Sequence, residues 1–376
     1  MNWETLRADE YCIAVKDGTH DTPKPVDFGY KLVTGKHVKN GQIDSSSAYY
    51  ISEEDYNAIN KRSMVERWDV IMSMIGTVGE AAVVKNDPDY AIKNVALFKC
   101  GGSEVRGKWL CYYLNSPEGK GKMLGEMKGS SQQFLSLKQL RELPIMFSEE
   151  KVPRIVEIIS NYDDLIENNQ KQIKLLEDAA QRLYKEWFVN LRFPGHENTK
   201  IVDGVPEGWR RGLLKELISV NYGKDHKKAP DDGNIPVYGS GGLMRKCNKS
   251  LFSGEAVLIP RKGSLNNIMY VDETFWTVDT MFYATMKQPH TAVFVYFFVK
   301  AFDMYSMNIG AAVPSMTTKI LDAMDVVIPD KETLEKFDKL TKTYFNKIKT
   351  LQGQNERLKI ARDLLLAKLM SGEVEV

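Results

Sequence analysis

Two long stretches of this chain repeat apolar residues at alternating steps of four and three. In the first, Ile155, Ile159, Tyr162, Ile166, Asn169, Ile173, Leu176, Ala180, Leu183 and Trp187 recur between Val152 and Trp187. That spacing is the stripe of a helix packed along its length against another helix. At ~1.5 Å per residue, about 36 residues span roughly 54 Å, too long for a helix inside one compact domain and the right length for a spacer. A second stretch runs from about Lys331 to Lys368. Shifted by 185 residues, Val152, Ile159, Ile166, Ile173 and Ala180 fall on Phe337, Tyr344, Leu351, Leu358 and Leu365, and Lys174 and Asp178 fall on Lys359 and Asp363. A shared heptad phase over about five heptads marks an internal duplication. Asn169 and Asn355 interrupt the two stripes. Each either fixes helix register as a buried asparagine or marks a solvated turn.

The segments before the helices have another texture. Residues 1–147 and about 196–329 are rich in glycine, aromatic and β-branched residues, with short strand-like runs such as Asp69–Ile75 before Gly76 and Ala256–Ile259 before Pro260. Each closes on a loop, a short helix and a strand. A shift of 181 aligns Leu135, Leu140 and Leu143 with Met316, Leu321 and Met324. The order is globule, helix, globule, helix. If the helices pair antiparallel, the two globules are related by a pseudo-two-fold axis.

Composition narrows the class. The chain has 376 residues, 43% hydrophobic and 27% charged, which suits a globular protein of two or three domains. No run approaches the ~20 apolar residues of a membrane span, and Met1-Asn2-Trp3-Glu4 opens without a secretion signal. The cysteines Cys12, Cys100, Cys111 and Cys247 form no CxxC pair and read as small core residues of a reducing cytosol. Five scattered histidines give no expectation of a metal site. With 51 Lys+Arg against 50 Asp+Glu, net charge is +1, so nucleic-acid binding requires positive charge gathered on one face.

Catalytic signatures are weak. Asn86-Asp-Pro-Asp-Tyr90 approaches the loop by which adenine methyltransferases hold a flipped base, but Asp89 replaces the second proline, and it reads as a turn. Gly102-Ser-Glu-Val-Arg-Gly107-Lys108 has phosphate-loop glycine spacing, yet Trp109 stands where a hydroxyl must bind Mg²⁺; it reads as a surface turn. Asp89 with Glu118 and Lys120 fits the loose pattern of a metal-dependent nuclease, a pattern common by chance. Gly239-Ser240-Gly241 lacks nucleophile-elbow spacing.

At the helices the sequence resembles a known family. Gln172–Val189 followed by Phe193-Pro-Gly195 resembles the central conserved region of type I restriction-modification specificity subunits, and Leu358–Glu373 resembles their distal conserved region. Val205-Pro-Glu-Gly-Trp209 is similar to the family's usual opening of a recognition domain, and Asp17-Gly-Thr-His-Asp-Thr-Pro23, Gly239-Ser-Gly-Gly242 and Arg261-Lys-Gly263 look familiar from its variable domains. One departure is that the chain begins almost directly in Asn2-Trp3-Glu4-Thr5-Leu6, without the usual Pro-x-x-Trp.

The resemblance implies an α+β fold. Two mixed α/β target-recognition domains, at 1–147 and 196–329, are joined by two long antiparallel coiled-coil helices, at 148–195 and 330–376, in a pseudo-two-fold internal repeat. It implies a cytoplasmic, non-catalytic subunit that binds a split target on double-stranded DNA, one half-site per domain. Two-fold arrangements read half-sites about 34–36 Å apart, a distance such helices can set. The implied partners are two methyltransferase subunits, which use S-adenosylmethionine to methylate adenine N6, and optionally two restriction subunits, which use ATP and Mg²⁺. No cofactor is expected in this chain. Two other readings stay open: a stand-alone Mg-dependent DNA endonuclease, and a coiled-coil scaffold that never touches DNA.

Base edges are read by Arg, Lys, Asn, Gln and Ser, and phosphates attract Lys, Arg and backbone N–H groups. In the first globule the candidates are Lys16, Thr19, His20 and Thr22, then Ser73 and Thr77, then Ser130, Ser131, Gln132 and Gln133, with Lys120, Lys122 and Lys128 for phosphates. In the second they are Tyr222, Lys224, Lys227 and Lys228, and Arg261, Lys262, Ser264 and Asn266 beside Asn267. Any one of these is alternatively a solvated side chain or turn-former. Trp187, Phe188 and Phe193 are candidates to face partner subunits, with docking onto their own globule as the alternative.

Overall fold

A computed structural model describes residues 3–75, 78–126, 134–307 and 315–376. The chain divides into two compact units, Met1–Asn168 with Gln354–Val376, and Asn169–Gly353. Both boundaries fall inside a long helix, so each unit contains one globule and a part of both helices.

In the first unit, a four-stranded antiparallel sheet has the order Ala14–Asp17, Val95–Lys99, Val70–Ser73, Ala81–Val83. The two central strands are buried at every position, which explains why they read as continuous apolar runs instead of alternating ones. Beside it, Tyr30–Val33 pairs parallel with Tyr90–Ile92 and antiparallel with Tyr50–Ile51. The helix Glu104–Asn115, capped by Ser103 Oγ accepting from Arg106 N, carries Trp109, Leu110, Tyr113 and Leu114 into the core. Gly107 on this helix is required: a Cβ there would lie 2.1 Å from the Trp68 carbonyl oxygen. The phosphate-loop-like stretch is therefore largely helical, and its second glycine serves close packing; the expectation of a surface turn is corrected.

In the second unit, a six-stranded sheet runs in the order Ile218–Tyr222, Met281–Met286, Phe252–Pro260, Met269–Thr277, Ile235–Gly239, Gly242–Cys247. The nine-residue helix Ala292–Lys300 lies against it, with seven residues buried.

The duplication extends to the hydrogen bonding of the closing segment. In the first unit Glu4–Arg7 pairs antiparallel with Pro144–Phe147; in the second, Arg210–Leu213 pairs antiparallel with Asp325–Ile328. Ala8 N donates to Leu143 O at 2.9 Å, and Leu214 N donates to Met324 O at 2.9 Å. Ser136 Oγ caps the short helix Leu137–Glu142 by accepting from Gln139 N, as Thr317 Oγ1 caps Thr318–Asp322 by accepting from Ile320 N. Trp3 leads the first strand as Trp209 leads its counterpart, so the missing Pro-x-x-Trp leaves the strand itself intact.

The long helices span Lys151–Tyr184, extended by a π-helical turn at Lys185–Val189, and Lys331–Ser371. They pair antiparallel. Within the first unit, Val152, Ile155, Val156 and Ile159 share a core with Leu366, Leu369 and Met370, and Arg362 bonds Asp163. Within the second, Ala180, Tyr184 and Trp187 share a core with Leu334 and Phe337. In the C-terminal helix the enclosed positions Leu334, Phe337, Thr341, Ile348, Leu351 and Asn355 keep the heptad steps read from sequence. Asn169 and Asn355 are 8% and 7% exposed, so neither marks a solvated turn.

Candidate nucleic-acid interface

In the first unit the loop after Ala14–Asp17 is held by residues distant in sequence. Lys93 Nζ donates to His20 O at 3.0 Å, Asp21 O at 2.6 Å and Thr22 Oγ1 at 2.7 Å. The two ring nitrogens of His20 lie 2.9 Å from Asp17 Oδ2 and 2.9 Å from Asn94 Oδ1, and Arg62 donates to Gly18 O at 2.8 Å. Gly18 is needed for this closure, because a Cβ would sit 2.6 Å from Ile92 O. The result is a rigid loop whose exposed edge carries His20, Asp21 and Thr22, with Lys16 half-buried on the strand before it and Thr19 enclosed in the loop's own turn.

Ser73 does not join that surface. It is 1% exposed, and its Oγ accepts from Glu80 N at 3.1 Å. A base-reading role for Ser73 is therefore corrected: a strand position facing the core cannot reach a groove edge. Thr77, Ser130, Ser131, Gln132, Gln133 and Lys128 lie outside the described residues. Lys120 pairs with Glu80 at 3.5 Å, and Lys122 is exposed. Among the described residues, no group of three or more His, Cys, Asp or Glu side chains is placed to hold a metal ion.

In the second unit three loops meet at one end of the six-stranded sheet. Gly223 N donates to Met281 O and Lys224 N to Thr277 O; Arg261 N and Lys262 N both donate to Thr280 O. The Arg261 guanidinium lies 5.0 Å from the centre of the Tyr222 ring and donates to Asp279 O at 2.9 Å. Asn267 Nδ2 donates to Ser240 O at 2.8 Å, joining the Gly239–Gly242 turn to the same cluster. Tyr222, Lys224, Lys262 and Ser264 are exposed there, and Lys227 is exposed one turn further on. Lys228 closes the short turn His226–Lys228. Arg245 staples that segment from the next hairpin, donating to Ala229 O at 2.7 Å and to His226 O, and pairing with Asp231. Asn266 is exposed as well, and its side chain braces the neighbouring loop. Its amide donates to Asp303 and accepts from Met304 N, and its bond holds the Asp303 carboxyl below the usual carboxylate range. Sequence reasoning missed Lys93, Arg62, Arg245 and Asn267 as organisers. Each acts across a long sequence separation, which local pattern does not reveal.

Trp187 and Phe193 are 6% and 5% exposed in the core of the second unit, and Phe188 packs its edge on Phe337 with ring centres 4.8 Å apart. The expectation that Trp187 and Phe193 face partner subunits is corrected in favour of docking onto their own globule. Burying each ring beside other aromatics contributes more than leaving it in water.

Both globules thus close by the same strand pair onto antiparallel helices, and in the second a cationic loop cluster crowns the sheet. That is a duplicated α+β fold. The family model described as "Type I restriction modification DNA specificity domain" matches residues 206–359. The chain is 25% identical to the type I restriction enzyme MjaIX specificity subunit of Methanocaldococcus jannaschii, over 87% of this chain and 84% of that protein. It is 20% identical to the putative MjaX specificity subunit of the same organism, over 100% of this chain and 94% of that one. The crystal structure of the type I restriction-modification S subunit from M. genitalium shares the fold, with TM-score 0.57 and 17% identity over 98% of this chain and 96% of that one. The chain is thus similar in sequence and fold to type I restriction-modification specificity subunits. Among the described residues no helix is long and apolar enough to cross a membrane.

Proposed function

We propose that this chain reads a bipartite target on double-stranded DNA, one half-site per globule, and scaffolds two adenine-N6 methyltransferase subunits in the cytoplasm, with restriction subunits able to join. The observation that carries the reading is the duplicated closing segment, Ala8 N to Leu143 O and Leu214 N to Met324 O, which mounts two globules on the helices in the same way. Equivalent mounting of two reading heads is what a split target with a fixed gap requires. The loop Lys16–Thr22 in the first globule, and Tyr222, Lys224, Lys227, Lys228, Arg261, Lys262 and Ser264 in the second, form the reading surfaces. Arg261 on Tyr222 and Asn266 on Asp303 hold their loop in shape. S-adenosylmethionine belongs to the methyltransferase subunits and ATP with Mg²⁺ to the restriction subunits. Methylome sequencing of cells with and without this chain tests the proposal. The expected result is loss of one bipartite N6-methyladenine motif. An unchanged methylome, with no salt-sensitive DNA binding by the chain and its methyltransferase partner, overturns it.

A further inference from the structure

The hairpin formed by Ile235–Gly239 and Gly242–Cys247 lies at the edge of the six-stranded sheet, and its tip carries an unexplained pair of apolar side chains. Leu243 and Met244 are each 55% exposed, and neither belongs to a buried cluster of the second unit. Met244 at least covers Gly239, where an added Cβ would meet its sulfur at 2.4 Å. Leu243 has no such role. The tip itself is rigid. Asn267 Nδ2 holds Ser240 O at 2.8 Å, and Gly263, at φ +81°, fits against Ser240 so closely that a Cβ there would lie 2.5 Å from its hydroxyl. The turn that leads into Leu243 is therefore held in a fixed position against the loop that carries Arg261 and Lys262.

What would cover Leu243 follows from its surroundings. The exposed lysines on Leu243's own strand, Lys246, and on the loop tied to its turn, Lys262, suit a polyanion better than an apolar protein groove. The major groove of B-DNA is wide enough to admit a two-stranded β-ribbon, and the apolar feature it offers is the C5 methyl group of thymine. Resting on the DNA-reading function above, we propose that Leu243 is a specificity-determining residue that packs on a thymine methyl group in the half-site read by the second globule.

The test uses the full chain and the cognate duplex found by methylation mapping, with each thymine of that half-site replaced in turn by uracil. This removes the methyl group and leaves base pairing intact. Loss of one buried methyl lowers affinity about threefold to fivefold. The expected result is one thymine whose replacement weakens the wild-type chain by that factor. Leu243→Ala should bind the thymine and uracil duplexes with equal, weakened affinity, while Lys262→Ala weakens both alike and keeps their ratio. The proposal is overturned if no replacement weakens the wild type, or if Leu243→Ala still discriminates. It is overturned equally if 2-aminopurine at a neighbouring step brightens on binding and this signal is lost in Leu243→Ala, which would make the tip an intercalating wedge. A scrambled duplex separates these outcomes from failure of the underlying reading: equal binding of cognate and scrambled DNA removes sequence reading altogether.

Discussion

Arg362 donates to Asp163 at 2.7 Å, joining the two long helices within the first unit across 199 positions of sequence. Tyr112 of the globule donates to the other carboxylate oxygen at 2.6 Å, so a single aspartate ties three elements together. Burial, and then the nearby carboxylate, push the Tyr112 phenol far above its ordinary pKa, which keeps it a donor. Burial alone would lower the Arg362 pKa, but the hydrogen bond and charge of Asp163 more than offset this. With both partners about a quarter exposed, Asp163→Ala is expected to cost about 1–3 kcal/mol in urea denaturation. A double-mutant cycle with Arg362→Met should show coupling; strictly additive losses would mean that the pair contributes nothing.

Phe337 is fully buried and meets Tyr184, Trp187 and Phe188. Phe337→Ala leaves a cavity where the helices meet the second globule, at an expected cost of about 3–5 kcal/mol. Thermal unfolding followed by tryptophan fluorescence should show the loss. A melting temperature indistinguishable from wild type would contradict this packing.

Asp330 precedes the C-terminal helix and accepts from Thr333 N at 2.9 Å, Thr333 Oγ1 at 2.6 Å and Trp209 Nε1 at 2.9 Å. Burial raises its pKa, but these hydrogen bonds outweigh burial and hold it below the usual carboxylate range. A depressed folded-state pKa stabilises above the unfolded value of about 4, and the stabilisation is lost as pH falls through the folded value. Melting temperature should therefore drop below about pH 4 in wild type, and Asp330→Asn should flatten that part of the curve. Asp330→Ala should cost about 1 kcal/mol at neutral pH as a lost helix cap.

Gly18→Ala would place its methyl carbon against the Ile92 carbonyl and force the His20–Thr22 loop outward. DNA affinity is expected to fall about tenfold through the first half-site, with folding retained, since roughly 1–3 kcal/mol accompanies loss of one base contact. Footprinting should show protection lost on one half-site only.

Lys224 and Lys262 are exposed on the loop cluster of the second unit. If each meets a phosphate, each alanine variant should reduce the slope of log affinity against log salt by about 0.9. Unchanged slopes would assign them to solvent.

The proposed reading surfaces were only partly legible in the sequence. The loops around Thr19–Thr22 and Arg261–Ser264 stood out because glycines and cations cluster locally. Ser73, by contrast, sits among apolar residues on a strand, and its inward orientation depends on pairing with Val95–Lys99 and Ala81–Val83. Trp187 and Phe193 have the look of interface aromatics in the sequence, and only the folding of the second globule over them buries both.

The sequence by itself determined the long helices, their shared heptad phase and the order globule, helix, globule, helix, because helical periodicity and duplication are local or strictly repeated signals. Only the tertiary structure decided that Lys93 clamps the first loop, that Arg245 staples the second, and which serines and aromatics turn inward. Those outcomes depend on which strands and helices become neighbours, and long-range packing leaves no periodic trace in the chain.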